Sequence, residues 1–112
     1  MENKELNLLN IIAVAGFVSG EVKLSFDDVK KTSVAKFYIK NPCKIGTYHY
    51  DNDYYVIVYG NKAAQCHEML HDGDMCTVSG KSSTWCKKDK KGNDQYGITI
   101  IASDVHFNGQ GI

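Results

Sequence analysis

The sequence has 112 residues, 43% of them hydrophobic and 23% charged, with no formal net charge. That describes one small domain with enough apolar residues to bury a core without staples. It excludes a membrane-spanning helix, since no apolar run approaches the roughly 20 residues needed, and the polar start MENKELNLLN is no secretory leader, so a cytoplasmic location in a reducing compartment is expected.

Residues 1–9 are polar and acidic with scattered leucines and read as a flexible N-terminus. Asn10 to Val18, NIIAVAGFV, is a continuous apolar run of strand length. Gly16 within it suggests a bulge or a sharp bend. Ser19-Gly20 is a turn signal, and Val22, Leu24 and Phe26 alternate beyond it as a continuation of the strand, before Asp27-Asp28 begins a polar break. Ser33 to Lys40, SVAKFYIK, alternates clearly: Ala35, Phe37 and Ile39 point one way, Val34, Lys36, Tyr38 and Lys40 the other. Pro42 should end this second strand. Residues 41–53, NPCKIGTYHYDND, then read as a polar loop carrying Tyr48, His49 and Tyr50, and tyrosines crowded in a polar loop invite a ligand that covers them.

Tyr54 to Tyr59 is a third strand, with Tyr54, Val56 and Val58 on one face and Tyr55, Ile57 and Tyr59 on the other. Gly60 ends it, and Asn61 is a good N-cap for a short helix, KAAQCHEMLH. Ala63, Cys66, His67 and Leu70 fall on one buried stripe of that helix. Thr77 to Ile101 follows as strand, exposed basic loop and strand. The only tryptophan, Trp85, lies at the base of the loop Lys87–Asp94, with Lys81 behind it and Lys87 and Lys88 ahead. An aromatic ring flanked by ammonium groups can stack on a nucleobase while the charges hold its phosphates. A solvated hairpin tip with a packed tryptophan gives the same pattern, because tryptophan usually buries much of its surface.

The zero net charge hides segregation. All thirteen cationic residues are lysine; six fall between Lys23 and Lys44 and five between Lys81 and Lys91, while acids collect at Asp51, Asp53, Glu68, Asp72 and Asp74. A neutral protein can thus present one basic face. Lysine meets phosphate as a point charge, whereas bidentate reading of guanine mostly uses arginine, so little sequence preference is expected. The four cysteines, at 43, 66, 76 and 86, form no CxxC pair and read as free, mostly buried hydrophobes.

The order strand, strand, strand, helix, strand, strand is the plan of the OB-fold, an all-β five-stranded Greek-key barrel with one short helix between strands 3 and 4. That barrel binds oligonucleotides on strands 2 and 3 and on the loops joining strands 1–2 and 4–5. Here those places carry Lys36, Tyr38 and Lys40, then Tyr55 and Tyr59, and the basic loop beside Trp85.

At this point four ordered segments, NIIAVAGFV, TSVAKFYI, VIVYGNKAAQCHEMLHDGDMCTVSGK and STW…KKGNDQYGITIIASDVHFNG, resemble the bacterial and phage type of single-stranded DNA-binding protein (SSB) over about residues 10 to 109. The resemblance implies an OB domain over 10–109 and a short C-terminal end over 110–112 without the family's acidic tail. Its stacking aromatics map to Trp85 and Tyr59. Where the family often has a tryptophan six residues before Tyr59 this chain has Asp53, and Tyr55 on the same face can substitute. Tyr48 or Tyr50 is the nearest counterpart of the long-loop aromatic. The resemblance further implies a role in replication, recombination or repair, a homotetramer or homodimer, and replication or recombination proteins as partners. The phosphate contacts are assigned to Lys23, Lys36, Lys40, Lys81, Lys87 and Lys88.

Two other readings compete. His67 and His71, with Cys66, Cys76 and Cys86, match no zinc spacing, and no nucleophile–base pattern is present, so neither a metal, a cofactor nor catalysis is expected. An OB module that mainly contacts other replication proteins, with weak nucleic-acid binding, is favoured by the neutral charge and disfavoured by the lysine-flanked aromatic.

Overall fold

The computed structural model describes residues 9–112, so the flexible start expected over residues 1–9 lies, Leu9 apart, outside the described residues. In chain order the elements are β1 (Ile12–Asp27), β2 (Thr32–Ile45), β3 (Tyr48–Tyr59), α1 (Asn61–Met69), β4 (Met75–Lys88), β5 (Asp94–Phe107) and the two-residue β6 (Gln110–Gly111). Strand order is β3-β2-β1-β4-β5-β6, and β3 also pairs with β5 in parallel, Tyr54 opposite Ile98 through Val58 opposite Ala102. That pairing closes the five long strands into a barrel.

The period-two pattern of the sequence selects the inner face. Phe37, Ile39, Val56, Val58, Val78, Ile100 and Val105 are at most 1% exposed, and Val14, Val18 and Val22 join them from β1. Helix α1 adds Ala63, Cys66 and, at its C-cap, Leu70 to the same cluster. Among the described residues no helix is long and apolar enough to cross a membrane.

Several expectations shift. Gly16 is not a bulge: it sits in regular register opposite Cys76, and a Cβ there would come within 2.6 Å of the Lys40 carbonyl oxygen. The irregularity falls between Ser19 and Lys23, where Gly20 takes φ +87°, and β1 runs through it without a turn. Pro42 does not end β2. Pairing with β1 stops at Lys40, so beyond it β2 has an open side where a missing N–H is tolerated. The expected loop over residues 41–53 is instead the far arm of the β2–β3 hairpin, paired from Asn41–Asn52 to Ile45–Tyr48.

Val34, expected on the outer face, is only 3% exposed. Helix α1 starts from Gly60 with no side-chain cap, so Asn61 is its first residue and not its N-cap. His67 stands exposed at the edge of the buried stripe, its Nδ1 2.8 Å from the Val22 carbonyl oxygen. Of the cysteines, Cys66 and Cys76 are buried, Cys43 is half-buried and Cys86 is exposed. At the other end Ile112 folds back, its N–H donating to the Val105 carbonyl at 2.7 Å and its side chain joining the core.

Candidate nucleic-acid interface

Strand alternation turns the polar residues of β2 and β3 outward, and register then aligns them in rows. In the first row Lys23 faces Lys36, Lys36 faces Ile57, Ile57 faces Ile101, and Ile101 faces Lys81. The three lysines are exposed and the two isoleucines half-buried. Like charges directly opposite one another repel, so Lys23 and Lys36 form a pair that an anion would relieve.

The second row runs Tyr38, Tyr55, Thr99, Ser83. The Tyr38 and Tyr55 rings are 4.8 Å apart at 44°. Burial, and then the neighbouring Tyr38, raise the Tyr55 phenol above its ordinary value, which keeps the Tyr55 ring a neutral stacking surface. In the third row Lys40 faces Asp53 and is ion-paired to it at 3.3 Å.

Trp85 lies within β4, opposite Gly97. A Cβ at Gly97 would strike the indole, so the missing side chain is what lets the ring lie against the sheet. The Lys87 Nζ is 5.4 Å from the ring centroid, within cation–π range. Tyr38, Tyr55, Trp85, Lys87 and Thr99 line one open groove, which thus joins β2, β3, β4 and β5. The adjoining pocket is lined by Asp53, Trp85, Tyr96, Gly97 and Ile98.

The remaining candidates lie away from this groove. Tyr59, opposite Val34 at the other end of β3, is half-buried with Lys30 Nζ 5.2 Å over its ring. Tyr48 and Tyr50 project from the far arm, stacked on each other at 5.7 Å and 21°. Lys88 is held by Asp94 at 2.7 Å. The tip of the β4–β5 hairpin is a tight turn in which the Asp89 carboxylate accepts the Lys91 and Asn93 N–H groups at 2.8 and 2.9 Å. Hydrogen bonding from the Asn93 and Lys91 backbone keeps that carboxyl below its usual range.

The structure therefore brings together Tyr38, Tyr55, Trp85 and Lys87 in one groove, with Lys40 in the row beside it. Lys23, Lys36 and Lys81 line the next row, and Tyr59 with Tyr48 and Tyr50 stand at opposite ends of β3. Four residues of this surface escape a linear reading: Lys30, Asp53 as a pocket wall, Tyr96 and Gly97. Gly97 alone left a signal, a glycine that hairpin register sets across from the sole tryptophan. Among the described residues no three His, Cys, Asp or Glu side chains converge as a metal site needs.

No protein-family model matches the sequence, and no curated protein matches it. Solved structures do. The small single-stranded DNA-binding protein of Streptomyces coelicolor superposes with a TM-score of 0.70 at 15% identity, over 92% of this chain and 96% of that one. The Plasmodium falciparum SSB, solved in complex with ssDNA, gives 0.76 at 21% identity, over 96% and 98%. The barrel described above is accordingly the OB-fold that these single-stranded DNA-binding proteins share.

Proposed function

We propose that this protein binds single-stranded DNA with little overall sequence preference, by stacking bases on aromatic rings and neutralising phosphates with lysine. The observation that carries this reading is the groove in which Tyr38, Tyr55, Trp85 and Lys87 meet, flanked by the row holding Lys23, Lys36 and Lys81. Every base has a π-face, so stacking is sequence-tolerant, at about 1–3 kcal/mol per base. Tyr59 under Lys30 and the Tyr48–Tyr50 pair extend the path along β3, whose stretch from Tyr48 to Tyr59 spans about 36 Å at the usual rise per residue. Duplex DNA, its bases already stacked, binds poorly. Roles in replication, recombination or repair, and assembly into a homodimer or homotetramer, belong to the same proposal. An exposed apolar strip of Ile11, Phe17 and Met75, the last two directly opposite each other, supports assembly.

The test is titration of the single tryptophan's fluorescence with poly(dT) at low and high salt. Strong quenching that weakens with salt is expected. Absence of quenching and of binding would move the protein-interaction reading to first place, which Leu24, Phe26 and Val29, exposed around the β1–β2 turn, favour. A monomer mass by light scattering at micromolar concentration would overturn the assembly.

A further inference from the structure

Asp53 is an acid that lies among lysines and aromatic rings: its carboxylate pairs with Lys40, and it shares a pocket with Trp85 and Tyr96. Strand alternation puts it on the outward face with Tyr55, and it walls the pocket that also holds Trp85, Tyr96 and Gly97. Its Oδ1 takes the Lys40 ammonium at 3.3 Å, and its side chain is still 59% exposed. Among the described residues nothing donates a hydrogen bond to Oδ2. Phosphate is repelled from a carboxylate, so this end of the groove suits a base edge and not the sugar–phosphate chain.

A carboxylate only accepts hydrogen bonds, through two oxygens side by side. The base edge that fits it presents two adjacent donors. Guanine does so with N1–H and its N2 amino group. Thymine sets its single N3–H between two carbonyl oxygens, which the carboxylate repels. Cytosine and adenine place a ring acceptor beside their amino group.

Resting on the single-strand reading above, we infer that Asp53 is a base-selecting residue, which favours guanine in the pocket beside Trp85 and so sets one preference within an otherwise tolerant path. Lys40 holds the carboxylate in place through one lone pair of Oδ1, which leaves Oδ2 and the second lone pair of Oδ1 free to accept the two base donors. Asp53 positions no phosphate and drives no chemistry; it discriminates.

The test compares three oligonucleotides of about 15 nucleotides, within the site size of one OB barrel: repeats of TTG, the same with inosine for guanine, and plain thymidine. Inosine keeps the purine's stacking area and N1–H and lacks only the N2 amino group. The native protein should bind the guanine strand about fivefold more tightly than the inosine strand, the low end of discrimination by a bidentate base contact. Asp53→Ala should bring that ratio to one. A ratio of one in the native protein, or an unchanged ratio in Asp53→Ala, overturns the inference and leaves single-strand binding intact. Failure of all three strands to bind overturns the single-strand reading and this inference with it.

Discussion

Trp85 lies flat against the sheet because its cross-strand neighbour is Gly97. Its removal should therefore cost a stacking surface and little core. We expect Trp85→Ala to weaken binding to labelled oligothymidine by about 1–3 kcal/mol in fluorescence anisotropy, with the circular dichroism spectrum and folding cooperativity retained. Unfolding would show the ring to be core. Gly97→Ala is the complementary change: it leaves the indole in the chain and moves it, so quenching by poly(dT) should fall while total tryptophan emission survives. The outward placement of Lys36, Tyr38 and Lys40 was legible in the sequence because alternation has a period of two and needs no knowledge of partners. The use of Gly97 and Asp53 was not, because each acts through a cross-strand neighbour, and Asp53 through a pocket shared with a strand about forty residues away. In a linear reading Asp53 appears as one of several collected acids and, against the resembling family, as a missing tryptophan.

At the scale of elements, the strands and helix could be read in order, but their ends could not. Pro42 ends a strand only where both sides are paired, and β1 withdraws at Lys40. Asn61 is a good cap by residue type, yet Gly60 at φ +86° enters the helix instead. Phe37 lies at the centre of β2 at 1% exposure, and Phe37→Ala should cost about 3–5 kcal/mol, visible as a fall of many degrees in the thermal midpoint. Helix α1 and β4 each bury a cysteine against the barrel. Burial and the proximity of Cys76 push the Cys66 thiol up to about 11, and burial with Asp74 does the same for Cys76. Folded-state values above the ordinary 9.0 mean that the native protein holds protons which the unfolded chain releases. That contribution to stability is complete below pH 9 and is lost as pH climbs toward 11. Thermal midpoints measured from pH 8 to 11 should decline, and a Cys66→Ala, Cys76→Ala double variant should decline less steeply. Under native conditions an alkylating reagent should label Cys86, which is exposed, and spare these two.

For the whole molecule, zero net charge and a lysine-rich face have separate consequences. Far from the surface the opposing charges cancel, so association should lack strong electrostatic steering. At contact the lysines act locally, and log K against log salt should fall with a slope of about −0.7 for each phosphate neutralised. Lys87→Ala should flatten that slope by about the same amount, whereas Lys88→Ala, removing a side chain already held by Asp94, should change it less. The barrel's closure also bears on how the chain reaches its native state. The seam joins Tyr54 to Ile98 and Val58 to Ala102, so the outer edge of β3 finds its partner only after the intervening helix and hairpin are in place. Contacts so distant in sequence slow folding to milliseconds or longer. During synthesis that edge waits, its backbone N–H and C=O groups bare, until the codons for residues 98–102 have been translated.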